Sequence, residues 1–333
     1  MFVQTDSMAR EASSQTISPA RSGTAVARDV DVYRTRGTGV SSIEPRPHPT
    51  VWGDGDRGPL SPGELSGYEG RGYHLAEGAL TSEDIDACRD ELAHLTLRLG
   101  DDNRIIRERS DGSIRSIFDV HKLSDVVAEI CSRPQIVDVA RQILDDEVYI
   151  HQSRINFKPG FAGGPFYWHS DFETWHAEDG MPAPRALSVS LALTPNRSDN
   201  GALMIVPGSH KHFMSCAGKT PDGYHAESLA SYRPPVGTPD EAQVTQMAEK
   251  YGIDTVTGPA GSVLYFDSNC LHASAGNITP FPRSNLFVVF NSRANALVRP
   301  FASASPRPQY LANEVMDPQR QQVRWQNASV GRS

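Results

Sequence analysis

From about residue 147 onward the chain breaks into short runs rich in β-branched and aromatic residues, each closed by turn residues. The runs are VYIHQSRINFKP, GPFYWHSDF, ALSVSLALT, GALMIVPGS, GSVLYFDS and SNLFVVFNS. Strict alternation is visible in Ser188-Val189-Ser190-Leu191, the pattern of a strand with two different faces. Gly163-Gly164, Asn200-Gly201 and the stretch from Gly258 to Gly261 supply turns between runs. Many short strands at modest spacing predict a sandwich or barrel.

The part before residue 147 reads as helical. Thr81 or Ser82 can cap a helix running to about Leu99, with Gly100 as the stop and Ile85, Cys88, Leu92 and Leu95 on one face. A second helix is expected near Leu123, carrying Val126, Val127 and Ile130. Pro134 suits the first turn of a third, with Ile136, Val137, Ala140, Ile143 and Leu144. Helices first and strands after predict an α+β fold, mainly β, with helices packed on one outer face of the β core.

Four segments lie outside this scheme. Residues 1–30 are rich in Ser, Thr, Ala and Arg without periodicity and read as a disordered N-terminal extension. Residues 31–70 are dense in Gly and Pro and read as an extended arm, laid down through Val51 and Trp52. The polar stretch 211–257 reads as an insertion between strands, of the kind that often covers a site, with AQVTQMAEKYG read as a helix. The Pro-, Gln- and Arg-rich residues 301–333 read as a loosely structured C-terminal tail.

The 333 residues carry 32 basic and 40 acidic side chains, a net charge of −8, with no Lys/Arg run, which argues against a nucleic-acid partner. No apolar stretch suits a membrane span, and the first residues lack the apolar centre of a secretory signal. Cys88, Cys131, Cys216 and Cys270 form no CxxC pair, so neither a disulfide scaffold nor a zinc ribbon is indicated. Scattered thiols predict a cytoplasmic location.

Trp168-His169-Ser170-Asp171 sets an imidazole and a carboxylate two residues apart, on one face if the segment is extended. His272 follows the run GSVLYFDS. Two histidines and one carboxylate on a β scaffold form the facial triad of non-haem iron(II) oxygenases, which leaves positions open for cosubstrate and oxygen. The bland alternative is a hydrogen-bonded His–Asp pair in a core. Arg283 opens the run SNLFVVF, where a guanidinium can grip a carboxylate through two parallel bonds. Its bland alternative is a surface ion pair. Gln152, Arg154, Asn156 and Lys158 share one strand face by period two, lining either solvent or a wet cavity. Trp175 is either a platform for a delocalised cation or an ordinary core residue. Glu173, His176, Glu178 and Asp179 crowd one loop, where they either orient the ligands or compete with them. Asp267 is a rival carboxylate, and His210 and His212 read as parts of a turn and a solvated loop.

The combination of HxD, NGALMIVPGSH, the distal His272 and Arg283 resembles the phytanoyl-CoA dioxygenase-like family. Within it, the segments Gln152–Gly160 and Phe166–Pro182 are similar to ectoine-hydroxylating members. The likeness covers residues 31–300. It implies a double-stranded β-helix, or jelly-roll, cupin-like core with flanking helices. It implies an enzyme that uses iron(II), 2-oxoglutarate and O2 to turn L-ectoine into 5-hydroxyectoine, with succinate and CO2 as co-products, in osmotic and heat stress protection. It implies a homodimer. Residue by residue, it carries His169, Asp171 and His272 over as iron ligands. It makes Lys158, Asn156 and Arg283 contacts to 2-oxoglutarate, and Gln152, Thr174, Trp175, Phe266 and Phe287 contacts to substrate. Other readings remain open: hydroxylation of another small cationic or amino-acid-like molecule, a non-catalytic metal or 2-oxoglutarate sensor, or a zinc or manganese enzyme that needs more histidines and no Arg283.

Overall fold

The computed structural model describes residues 31–37 and 41–314; the expectations for residues 1–30 and 315–333 lie outside them. The first part runs β1 (Ile43–Pro45), α1 (Pro62–Arg71), β2 (Tyr73–Ala76), α2 (Ser82–Leu99), β3 (Ile105–Arg107), β4 (Ile114–Phe118), α3 (Val120–Leu123), α4 (Asp125–Ser132) and α5 (Pro134–Leu144). The second runs β5 (Val148–Lys158), β6 (Phe166–His169), α6 (Asp171–Thr174), β7 (Ala186–Ala192), β8 (Leu203–Ile205), β9 (His212–Met214), α7 (His225–Ala230), α8 (Glu241–Tyr251), β10 (Asp254–Val256), β11 (Val263–Asp267), β12 (His272–Ser274) and β13 (Arg283–Ser292).

Helix ends follow local chemistry. Thr81 caps α2, accepting from the Asp84 amide while the Asp84 carboxylate takes the Thr81 amide. The helix expected near Leu123 is two pieces, because Ser124 adopts an extended conformation between α3 and α4 and caps the second through the Val127 amide. The arm expected over 31–70 contains α1, a helix the Gly-rich composition hid. Its signals are Ser61 as cap, Pro62 at the first position and Glu64 closing a capping box.

A seven-stranded antiparallel sheet, in the order β2-β11-β7-β13-β5-β4-β3, faces a four-stranded one, β10-β8-β12-β6. A third pair joins β1 to β9. Leu187, Val189 and Leu191 of β7 and Leu286, Val288 and Phe290 of β13 pack against α2, α4 and α5 in the main core. The opposite faces of these strands turn inward. There Phe266 and Phe287 meet Leu203 and Ile205 of the smaller sheet. This is the jelly-roll of an α+β, mainly β protein, with helices on one outer face. No helix among the described residues is long and apolar enough to cross a membrane.

The 211–257 insertion holds β9, α7, α8 and β10, and α8 covers the anticipated helix. The described part of the C-terminal tail, 301–314, is not loosely held. Leu311 and Ala312 are buried, the Asn313 amide donates to the His151 carbonyl at 2.8 Å, and Arg307 pairs with Asp179.

Candidate active site

His169 ends β6 and pairs directly across the sheet with His272 at the start of β12. Asp171 is not on a strand. Ser170 remains extended (φ −109°, ψ 127°), and Asp171 then opens α6. One extended residue past the strand end preserves the two-residue periodicity, so the carboxylate still reaches the imidazoles. His169 Nε2 lies 3.6 Å from Asp171 Oδ1, and His272 Nε2 lies 3.9 Å from Asp171 Oδ2. One donor atom from each residue falls within 4.8 Å of the others, a spacing that one metal ion would satisfy.

The donor atoms are pre-oriented. His169 Nδ1 donates to the Tyr167 carbonyl at 2.7 Å and His272 Nδ1 to the Cys270 carbonyl at 3.0 Å. Each bond fixes the tautomer that leaves Nε2 free for a metal. Ser188 Oγ, on the inward face of β7, donates to Asp171 Oδ2 at 3.1 Å. Burial alone would raise the Asp171 carboxyl, but His272, His169 and Arg154 hold it well below the usual carboxylate range. Burial, reinforced by His169, pushes the His272 imidazole down to about 4, so it is neutral and available as a ligand.

His169 and Asp171 border a cavity of about 130 Å³, while His272 lies outside its lining. Gln152, Asn156, Thr174 and Trp175 line it together with His169 and Asp171. Asn156 accepts from Ser116 Oγ at 2.8 Å, and the Gln152 amide donates to the Leu311 carbonyl at 2.7 Å. Trp175 is 2% exposed, its ring edge-on to His151. Tyr224, Ser228 and Val236 of the insertion also line the cavity.

Arg283 opens a second, smaller cavity with Ser190, Asn196 and Asn285. Its Nε donates to Asn196 Oδ1 at 3.0 Å, while Nη2 is buried without a partner among the described residues. Burial pushes the guanidinium down to about 10. A buried donor left unmade is costly, so Nη2 is available to an acceptor such as a carboxylate oxygen. Lys158 pairs with Arg283 across β5 and β13, but its amine donates to the Gly164 and Ala275 carbonyls at 2.5 and 2.8 Å. Burial, followed by Arg283 and Arg115, pushes the amine down to about 6. Phe266 and Phe287 lie in the apolar cluster between the sheets and outside the larger cavity's lining, Phe266 edge-on to the His272 ring.

The crowded loop is α6 followed by a single π-helical turn, Trp175–Asp179. Its polar residues are committed to other partners. Glu173 and Glu178 pair with Arg36, Asp179 with Arg307, and His176 with Asp31 and the Met181 carbonyl. Asp267 is held by Arg46 at 2.8 Å. His210 sits in a turn but is fully buried, with Nε2 on the Glu69 carbonyl, and His212 opens β9 and meets the Tyr251 hydroxyl. Arg36, Arg154 and Arg307 also line the larger cavity, and sequence reasoning assigned none of them to the site. Period two along β5 pointed to Arg154; nothing local marked the other two.

Residues 68–285 match the family model of phytanoyl-CoA dioxygenase (PhyH). An ectoine dioxygenase of Nocardia farcinica is 49% identical over 87% of this chain and 95% of its own length. One from Streptomyces coelicolor is 48% identical over 86% and 96%. The crystal structure of EctD from S. alaskensis with 2-oxoglutarate and 5-hydroxyectoine superposes with a TM-score of 0.76 at 39% identity, covering 86% of this chain and 95% of that one.

Proposed function

Because the chain belongs to the phytanoyl-CoA dioxygenase family, we propose that it hydroxylates L-ectoine to 5-hydroxyectoine with iron(II), 2-oxoglutarate and O2. The observation that carries this reading is the convergence of donor atoms from His169, Asp171 and His272, with His169 and Asp171 bordering a cavity also lined by Gln152, Thr174 and Trp175. In this reading the three ligating side chains hold the metal. Iron(II) held there would supply oxygen activation coupled to loss of CO2 from 2-oxoglutarate, the two oxygen atoms going to substrate and to succinate.

The remaining chemistry is binding and orientation. The unpartnered Arg283 Nη2 suits the distal carboxylate of 2-oxoglutarate, with Asn156 and Lys158 on the adjoining strand. Ser188 holds the Asp171 carboxylate in register with the imidazoles. The Trp175 indole offers a face to the delocalised cationic ring of ectoine, an attraction that strengthens in a dry pocket. Gln152 and Thr174 supply polar contacts beside it, while Phe266 and Phe287, outside that cavity's lining, act through the apolar cluster between the sheets. The protein is read as a cytoplasmic homodimer that serves osmotic and heat stress protection; the four free, buried thiols are consistent with a reducing compartment.

The assay is succinate release by purified protein with iron(II), ascorbate and 2-oxoglutarate. Release that depends on ectoine is expected. Succinate appearing only with another compound reassigns the substrate, and none with any small cation favours a sensor.

A further inference from the structure

Arg36 belongs to no strand or helix, and it precedes β1, yet it lines the substrate cavity. It is 4% exposed. Its guanidinium forks onto Glu173, with Nε donating to Oε1 at 2.9 Å and Nη2 to Oε2 at 2.8 Å. Nη1 donates to Glu178 and to Thr220 Oγ1, and Nη2 also reaches Thr174 Oγ1 at 3.3 Å. Thr35 adds a hydroxyl bond to Glu173 at 2.7 Å. The Arg36 amide donates to the Cys216 carbonyl at 2.8 Å, and the Cys216 amide donates to Thr35 Oγ1 at 2.9 Å. A Cβ at Gly237 (φ +81°) would sit 2.3 Å from Arg36 Nη2, so glycine makes room for the guanidinium. Arg36 itself has φ 53°, a left-handed conformation uncommon for a long side chain. Strain of this kind persists where the surroundings over-determine it, and it clusters at sites of function.

One side chain therefore ties together three segments: the arm, the α6–π-turn unit and the 211–257 insertion. A buried guanidinium with two carboxylates is a weak source of net stability, because desolvation offsets the attraction. What the planar fork supplies is geometry. The unit it fixes opens with Asp171 and carries Thr174 and Trp175 against the cavity.

We propose that Arg36 is a positioning residue for substrate binding. Through Glu173 and Glu178 it sets Thr174 and Trp175 against the cavity and draws the insertion onto the same wall. The arm is thereby part of the active site. This deepens the ectoine reading above and rests on it.

The test compares wild type with Arg36→Met and Arg36→Lys, each loaded with iron(II) without oxygen, with 2-oxoglutarate titrated first and ectoine titrated into the 2-oxoglutarate complex. Calorimetry reads ectoine and 2-oxoglutarate affinity, and hydrogen exchange on the same proteins without ligand reads local order. Arg36→Met is expected to weaken ectoine about tenfold or more, with 2-oxoglutarate affinity changed less than about twofold. Arg36→Lys is expected to recover part of the loss, since it keeps the charge but not the fork. Exchange is expected to quicken over 171–179 and 215–238 and not in α2 or α5. Unchanged ectoine affinity, or losses spread evenly over both ligands and all segments, overturns the proposal. Should Arg36→Met not fold, Glu173→Gln is expected to give the same selective loss in smaller measure. Wild-type protein that takes no ectoine sinks the substrate assignment instead, and the exchange pattern then decides the clamp alone: absence of a change localised to those two segments overturns it.

Discussion

The two faces of the seven-stranded sheet are built from the same strands and do opposite work. On β7, Leu187, Val189 and Leu191 meet the helices, while Ser188 and Ser190 face inward and bond Asp171 and Asn285. On β13, Leu286, Val288 and Phe290 face outward, whereas Arg283 and Asn285 border a cavity. On β5, Ile155 joins the helix-facing core and Gln152 and Asn156 line the larger cavity. Period two thus separates stability from chemistry residue by residue. A substitution should strike one and spare the other, according to the parity of its position.

The largest break is expected at the metal. Asp171→Ala removes one of three donors and leaves Ser188 without its acceptor. Iron retained after gel filtration, and ectoine-dependent succinate, should both fall to background. Retained iron with full activity would falsify the triad assignment. Next comes Arg283→Gln, which removes the buried cation at the other end of the inner face. KM for 2-oxoglutarate should rise on the order of 10²-fold, with ectoine affinity little changed. An equal loss in both affinities would mean that Arg283 supports the barrel and does not bind the cosubstrate.

Much of this division was legible beforehand. Ser188-Val189-Ser190-Leu191 announced its two faces, and the triad and Arg283 were marked by spacing together with the family resemblance. Thr81 and Gly100 bounded α2 because capping is local chemistry. What escaped depends on distant partners. Arg36 and Arg307 reach the cavity from the two ends of the described chain, paired with Glu173 and Asp179, and no local pattern ties residues 137 or 128 positions apart. The same holds for the tail: its burial depends on Gln152 and His151, far away in sequence. Gly63, Gly67 and Gly70 hid α1, although Ser61, Pro62 and Glu64 spelled out its start. Lys158 shows the limit of pattern on a single face. Its parity is right for the inner side, yet its amine is turned to the Gly164 and Ala275 carbonyls, which flank the strands bearing His169 and His272.

The smallest effects sharpen the comparison most, because they fall on a single strand. Ser188→Ala removes one hydroxyl bond to Asp171 and leaves the helix-facing core untouched. Iron affinity should fall about tenfold, with the urea midpoint nearly unchanged. Leu191, three residues on, is fully buried and lies opposite Val263 and Leu286 in the neighbouring strands. Leu191→Ala should cost about 2–5 kcal/mol in urea unfolding, through lost burial and the cavity left behind. At a temperature where that variant is fully folded, its iron affinity and its KM for both substrates should match wild type. The pair therefore exchanges signatures: one loses metal and keeps stability, the other loses stability and keeps metal. If Leu191→Ala also loosens iron, the two faces are mechanically coupled through β7, and parity alone does not separate them.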